Sequence, residues 1–179
     1  MEIYLIRHTS VDVPQGVCYG QTDVPLKPSF EEEAAIIKKQ LLPVSFDAVY
    51  TSPLSRCTRL ATYCGYPNAE RDERLKEMFM GDWEMQVFDE INDPQLQEWY
   101  DNYLHVPTRN GESYQDLLAR VSSFFKELVI HAKKNNHQKI AVFAHGGVLL
   151  CAQIYVGVIA PTNALQKLPS YGEIIRIST

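Results

Sequence analysis

Three short apolar runs constrain this chain more than anything else in it. They are "EIYLIR" at 2–7, "DAVYTS" at 47–52 and "KIAVFAH" at 139–145. Each is the length of one strand, and each is followed, directly or after a loop, by a stretch with helical spacing. Strands buried on both faces read as continuous apolar runs, and alternation with helices is the pattern of a parallel sheet covered on both sides. The expected fold class is therefore α/β: a single three-layer domain with a mostly parallel central sheet flanked by helices. The 179 residues suit one domain spanning 1–179, with a lid-like insertion around 80–113.

The remaining elements follow from local signals. A helix is expected over about 30–42, with Ser29 and Glu32 at capping-box spacing. "PLSRCTRLATYC" reads as a helix with Pro53 in its first turn. "AERDERL" adds an edge strand, and the acidic, aromatic stretch 85–107 is expected to be helical. From Ser113 onward, Leu117, Val121, Phe124, Phe125 and Leu128 mark one face of a long helix. "GVLLCAQIYVG" reads as a buried helix and "EIIRIS" as a final strand.

In a parallel sheet the carboxyl ends of the strands share one edge, and ligands bind in the crevice there. The first run ends in Arg7-His8. The second ends in Thr51-Ser52, with Arg56 one turn into the next helix, and the third ends in His145-Gly146-Gly147. One polar pair does no more than end a strand. Three such ends at one edge bring together two imidazoles, two guanidiniums and a glycine-rich turn into a helix. That set describes an anion site, most simply one for phosphate. Arginine presents forked donors and keeps its charge. A neutral imidazole nitrogen can attack phosphorus, and a second imidazole can donate to a nonbridging oxygen.

Composition sets the limits. A net charge of −5 argues against a nucleic-acid partner, although a few converging arginines still make one cleft positive. No apolar stretch is long enough to span a bilayer, so no membrane partner is expected. Acidic Glu2 and an apolar run that soon ends do not resemble a signal peptide. Cys18, Cys57, Cys64 and Cys151 lack CxxC spacing and read as free thiols of a cytoplasmic protein. With the cysteines dispersed and two histidines already assigned, neither a metal nor a cofactor is expected. His105, His131 and His137 read as solvated, and nothing here reports the oligomeric state.

The motifs together resemble the histidine phosphatase superfamily, also called phosphoglycerate mutase-like. Its "RHG" appears as "RHT", "SPLxRA" as "SPLSRC", "LxExxFGxWEG" as "LKEMFMGDWEM", and the late "HGG" as "HGGVL", with "GES" at 111–113 between them. The resemblance implies that His8 is the phosphorylated nucleophile, that Arg7, Arg56 and His145 grip the phosphate, and that Glu77 protonates the leaving oxygen. It implies a small phosphorylated metabolite as partner. The stretch "VCYGQTDVPL" after "RHT" is most similar to the α-ribazole phosphatase branch, which removes a 5′-phosphate during assembly of the lower cobalamin loop. The rival readings are a general phosphatase, a phosphoglycerate mutase and a non-catalytic phospho-ligand module.

Departures from the family pattern are specific. Thr9 replaces the signature glycine, so the turn after His8 is expected to keep a negative φ. Pro14 stands where many relatives carry a phosphate-contacting Asn, leaving Ser10 or the backbone of Gly20, Gln21 and Thr22 as substitutes. Met80 and Met85 replace an aromatic residue and a glycine around "GDWE". Glu112 and Ser113 border the substrate by resemblance, while their position at a helix start suggests capping. Glu84 and Asp82 are weaker candidates than Glu77 for the acid, and Arg59 is expected to be solvated or salt-bridged. Trp83, Trp99, Tyr100 and Tyr103 suit core or lid packing first, and the cover of a flat base second.

Overall fold

A computed structural model describes residues 1–163 and 167–179. Five strands form one sheet: β1 (Glu2–Arg7), β2 (Ala48–Thr51), β3 (Glu70–Arg71), β4 (Lys139–Ala144) and β5 (Ile174–Ser178), in the order β3-β2-β4-β1-β5. All neighbours are parallel except β5, which runs antiparallel to β1. This is a single α/β domain with a mostly parallel sheet, as the alternation of runs and helices implied.

Period-two alternation divides each central strand between two layers. Ile3 and Leu5 of β1, with Ile140 and Val142 of β4, face the helices α4 (Tyr114–Asn135) and α5 (Gly146–Tyr155). Tyr4 and Ile6, with Ala141 and Phe143, face α1 (Phe30–Leu41) and α2 (Ser55–Tyr63). Leu117, Val121, Phe124, Phe125 and Leu128 all lie buried on one side of α4. That helix starts with a complete capping box in which Ser113 and Asp116 bond each other's backbone amides.

Several local expectations are corrected. Ser29 does not cap α1; its hydroxyl donates to Glu33 Oε1 at 2.7 Å, because Glu33 rather than Glu32 turns back toward it. Pro53 precedes α2 instead of occupying its first turn. Leu54 is the extended N-cap residue, and Asp23 Oδ1 caps the helix from another loop by accepting from Ser55 N and Oγ at 2.9 and 2.8 Å. Strand β3 is only two residues long, because Asp72 starts a 3₁₀ turn by accepting from Arg74 N. In 85–107 the α-helix is short: α3 (Gln95–Asn102), preceded by a 3₁₀ turn at Phe88–Glu90. Trp83, just before this segment, is buried against it, its indole donating to Asp93 Oδ2 at 2.8 Å, with Trp99 edge-on to it. Those aromatics pack one another, which is the first of the two readings.

Met85, at the family's glycine position, adopts φ 65°. A side chain in this left-handed region costs roughly 1–2 kcal/mol, and Met85 is half exposed, so its own packing offsets little of that. Met85→Gly is expected to stabilise the fold by about 0.5–1 kcal/mol after the larger unfolded-state entropy of glycine is subtracted. A raised urea midpoint at unchanged m-value checks this.

Candidate active site

Backbone register assembles the site. His8 N donates to the carbonyl of Ala144 at 3.1 Å, and Ser52 N donates to that of Phe143 at 2.9 Å. The ends of β1, β2 and β4 therefore stand side by side, and the rings of His8 and His145 lie 5.2 Å apart. Both are buried, as is Arg56.

His8 Nδ1 faces the carbonyl of Thr9 at 2.8 Å. A carbonyl only accepts, so this contact places the proton on Nδ1 and leaves the lone pair on Nε2. Thr9 keeps a negative φ, as its β-branch requires, and its carbonyl thereby sets the His8 tautomer. Burial, reinforced by the charges of Arg56 and Arg7, lowers the His8 pKa to about 3, against the opposing effect of the Thr9 bond. His145 is held well below its ordinary value, first by burial and then by Arg56. Its Nδ1 accepts from Arg56 Nε at 3.2 Å, so Nε2 carries the proton and donates to Ser52 Oγ at 2.7 Å.

The guanidiniums are held by neutral groups. Arg56 donates from Nη1 to the carbonyl of Thr22 (3.0 Å) and from Nη2 to that of Gly20 (2.6 Å). Arg7 donates to the carbonyl of Pro169 and lies 4.1 Å from the centre of the Tyr171 ring, while its Nε is buried without a partner. Tyr19 and Tyr171 meet hydroxyl to hydroxyl at 2.5 Å.

Glu77 enters from the loop after β3. Its Oε2 accepts from Gly147 N at 3.0 Å and its Oε1 from Met78 N at 2.9 Å. A Cβ on Gly147 would lie 2.3 Å from Glu77 Oε1, so any side chain there would displace the carboxylate from this position. A cavity of about 280 Å³ is lined by Arg7, His8, Tyr19, Glu77, Phe88 and Tyr171, among others. A hollow of about 320 Å³ beside Tyr50 and Phe124 contains none of the strand-end residues, so size alone does not locate the site.

Arg56 and His145 are not on the wall of this cavity; His145 lies against the His8 ring and Arg56 bonds to His145. The second-rank candidates also lie off the wall, and they are engaged elsewhere. Ser10 N donates to Glu33 Oε2. The amides of Gln21 and Thr22 donate to Glu84, at 2.7 and 2.6 Å, so they do not stand in for the Asn that Pro14 replaces. Gly20 is required for a different reason: a Cβ there would lie 2.0 Å from the Met78 carbonyl. Glu112 pairs with Arg120 and Ser113 caps α4. Glu84 and Asp82 also stand outside the cavity wall, which leaves Glu77 as its carboxylate. Arg59 is exposed against the Phe30 ring. Sequence reasoning missed Tyr171, which no motif marks, and Arg120, which lies inside an amphipathic helix. Among the described residues, no group of three or more His, Cys, Asp or Glu side chains is arranged to hold a metal ion. No helix among them is long and apolar enough to cross a membrane.

The family model described as the histidine phosphatase superfamily (branch 1) matches residues 3–173. The chain is 31% identical over 157 residues to an adenosylcobalamin/alpha-ribazole phosphatase of Escherichia coli K12, covering 83% of this chain and 75% of the relative. It is 29% identical over 154 residues to a 2,3-bisphosphoglycerate-dependent phosphoglycerate mutase of Cytophaga hutchinsonii, covering 80% and 71%. The crystal structure of the alpha-ribazole phosphatase from Shigella flexneri superposes with a TM-score of 0.86 at 26% identity, covering 99% of this chain and 90% of that one.

The histidine pKa values have a consequence for stability. Both rings are neutral in the folded protein and become protonated in the unfolded chain below about pH 6.5. Unfolding then takes up protons, so stability is complete above that pH and falls as pH drops toward about 3 for His8. The expected slope is up to ~1.4 kcal/mol per pH unit for each histidine. Urea titrations between about pH 7 and about pH 5, above most carboxylate titration, check this. His8→Asn should show a distinctly shallower dependence than the parent.

Proposed function

This chain belongs to the histidine phosphatase superfamily, and from that premise we propose that it hydrolyses phosphomonoesters through a phosphohistidine on His8, with α-ribazole 5′-phosphate as preferred substrate. One observation carries the chemical part. His8 is neutral, its proton is committed to the Thr9 carbonyl, and it lines a cavity together with Arg7, with the Arg56 charge close enough to lower its pKa.

The steps follow from these groups. The substrate phosphoryl group binds between Arg7 and Arg56, whose charges offset those of its oxygens. The Nε2 lone pair of His8 attacks phosphorus in line, the N–P bond forms and the P–O bond to the leaving group breaks. The ring becomes cationic, which strengthens its bond from Nδ1 to the Thr9 carbonyl. Glu77 gives its proton to the departing alkoxide, a contribution on the order of 10²–10⁴ in rate for such catalysis. The resulting carboxylate then takes a proton from water, whose oxygen attacks phosphorus as the N–P bond breaks. Neutral His8 and protonated Glu77 are restored. His145 can turn its Nε2–H from Ser52 toward a nonbridging oxygen as charge moves there. The 80–113 segment serves as cover, contributing Met80 and Phe88 to the cavity wall.

Two observations support the substrate. The relatives at 31% and 26% identity include adenosylcobalamin/alpha-ribazole and alpha-ribazole phosphatases. The cavity wall adds Val17, Phe88 and Leu168 to the ring of Tyr19, an apolar surface suited to a flat dimethylbenzimidazole base.

Two measurements test the proposal. Rapid quenching after mixing with a labelled phosphoester should yield an acid-labile, base-stable adduct on the peptide containing His8; normal turnover by His8→Ala would overturn the nucleophile assignment. For the substrate, kcat/KM should favour α-ribazole 5′-phosphate over 3-phosphoglycerate, a sugar phosphate and a nucleoside monophosphate by at least about tenfold, or about 1.4 kcal/mol. A smaller preference would indicate a general phosphatase of small metabolites.

A further inference from the structure

Arg120 lies within α4, away from every motif, yet it engages all five of its N–H donors. Nε and Nη2 donate to the two carboxylate oxygens of Glu112 at 2.7 and 2.8 Å. Nη1 donates to the carbonyls of Arg74 (2.8 Å) and Lys76 (2.7 Å), and Nη2 to that of Glu77 itself (2.8 Å). Glu112 completes the clamp from the other side. Its Oε2 accepts from Phe79 N at 2.8 Å, and its amide donates to the Phe79 carbonyl at 2.8 Å.

The backbone on both sides of Glu77 is thus tied to one ion pair. Each partner is about one-fifth exposed, so water screens the pair only in part. Arg120 is not among the residues lining the cavity. Glu112 is not among them either. The alternative role for such a pair is simple stabilisation of a loop, and the convergence of Arg120 and Glu112 on four carbonyls and one amide of residues 74–79 argues for something narrower. Glu77 follows the extended Lys76 in a loop with no regular secondary structure, since the preceding 3₁₀ turn ends at Leu75. Its carboxylate is fixed by only two amides, Met78 and Gly147. A proton donor displaced by an ångström loses much of its effect.

We propose that Arg120 and Glu112 are positioning residues for Glu77: they touch no reacting atom and set where its carboxyl stands relative to the leaving oxygen. This rests on the reading of Glu77 as the general acid. A donor matters for a poor alkoxide leaving group and hardly at all for p-nitrophenolate. Displacing the acid should therefore produce a loss selective for the alkyl substrate, which a general weakening of the fold would not.

The test is the first-turnover phosphorylation rate of the parent, Glu77→Gln, Arg120→Lys, Arg120→Met, Glu112→Gln and the double variant Glu77→Gln/Arg120→Lys. Each is measured on an alkyl phosphate and on p-nitrophenyl phosphate. Arg120→Met should lose at least about tenfold more rate on the alkyl ester than on the aryl ester, a part of the roughly 10²–10⁴ that acid–base catalysis supplies. Arg120→Lys and Glu112→Gln should show a smaller selective loss, since each keeps part of the clamp. In the Glu77→Gln background, Arg120→Lys should cause no further alkyl-selective loss, because the group it positions is already gone. If Glu77→Gln is selective and the Arg120 and Glu112 variants are not, this proposal alone is overturned. Equal losses on both esters for Glu77→Gln would remove the acid assignment and this proposal with it. Should Arg120→Met not fold, the milder Arg120→Lys and Glu112→Gln decide by the same criterion.

Discussion

The hydrogen-bonded register of β1 against β4 is the constraint on which the rest of this structure depends. Arg7 pairs with Ala144 across the ladder, so His8 and His145 leave the sheet at the same level. The same register sends Ile3 and Leu5 toward α4 and α5, and Tyr4 and Ile6 toward α1 and α2. A slip of one residue in β1 would exchange those two sets and turn the end of the strand around. The apolar layers on both faces oppose such a slip, and the position of the two imidazoles is fixed by the same hydrophobic packing.

The site is electrostatically unbalanced, and its neighbours explain how that is tolerated. Among the described residues, neither Arg7 nor Arg56 forms an ion pair with a carboxylate. Their charges are solvated by carbonyls of Gly20, Thr22 and Pro169 and by the faces of Tyr19 and Tyr171. Carbonyl dipoles and ring quadrupoles offset the desolvation of a cation without neutralising it. The unneutralised charge helps drive protons off His8 and His145, after burial, and it favours a dianion in the cavity. In the proposed mechanism, one arrangement thus serves a nucleophile that must be neutral and a substrate that is negative. An ordinary buried ion pair would have met neither need.

Much of this was legible in the sequence because it follows from periodicity and strand ends. Three apolar runs gave the central strands, and Arg7, His8, Arg56 and His145 met because parallel strands share an edge. Residues whose role depends on loop conformation were less legible. Ser10, Gln21, Thr22 and Glu112 are polar and near the site in sequence, but their donors and acceptors are taken by Glu33, Glu84 and Arg120. Nothing in the local sequence says which carboxylate a loop amide will find. Ser29 illustrates the same point on a smaller scale, since Glu32 and Glu33 are equally good candidates until the chain turns. Tyr171 approaches Arg7 only through tertiary contact, and no motif announces it.

The loop contacts also separate chemistry from specificity. Gln21 Nε2 donates to the Glu77 carbonyl, Glu84 binds the amides of Gln21 and Thr22, and Arg56 binds the carbonyls on either side. Through these bonds Arg56, the 20–22 loop and the loop bearing Glu77 form one connected polar network. A substitution in any member is transmitted to the others, because a buried donor or acceptor left unpaired costs about 1–3 kcal/mol. Val17, Phe88 and Leu168 line the same cavity without entering any of those side-chain bonds. Their side chains can change size or shape while that network stays intact. On the proposed reading, these apolar wall residues are where a preference for one leaving group is set.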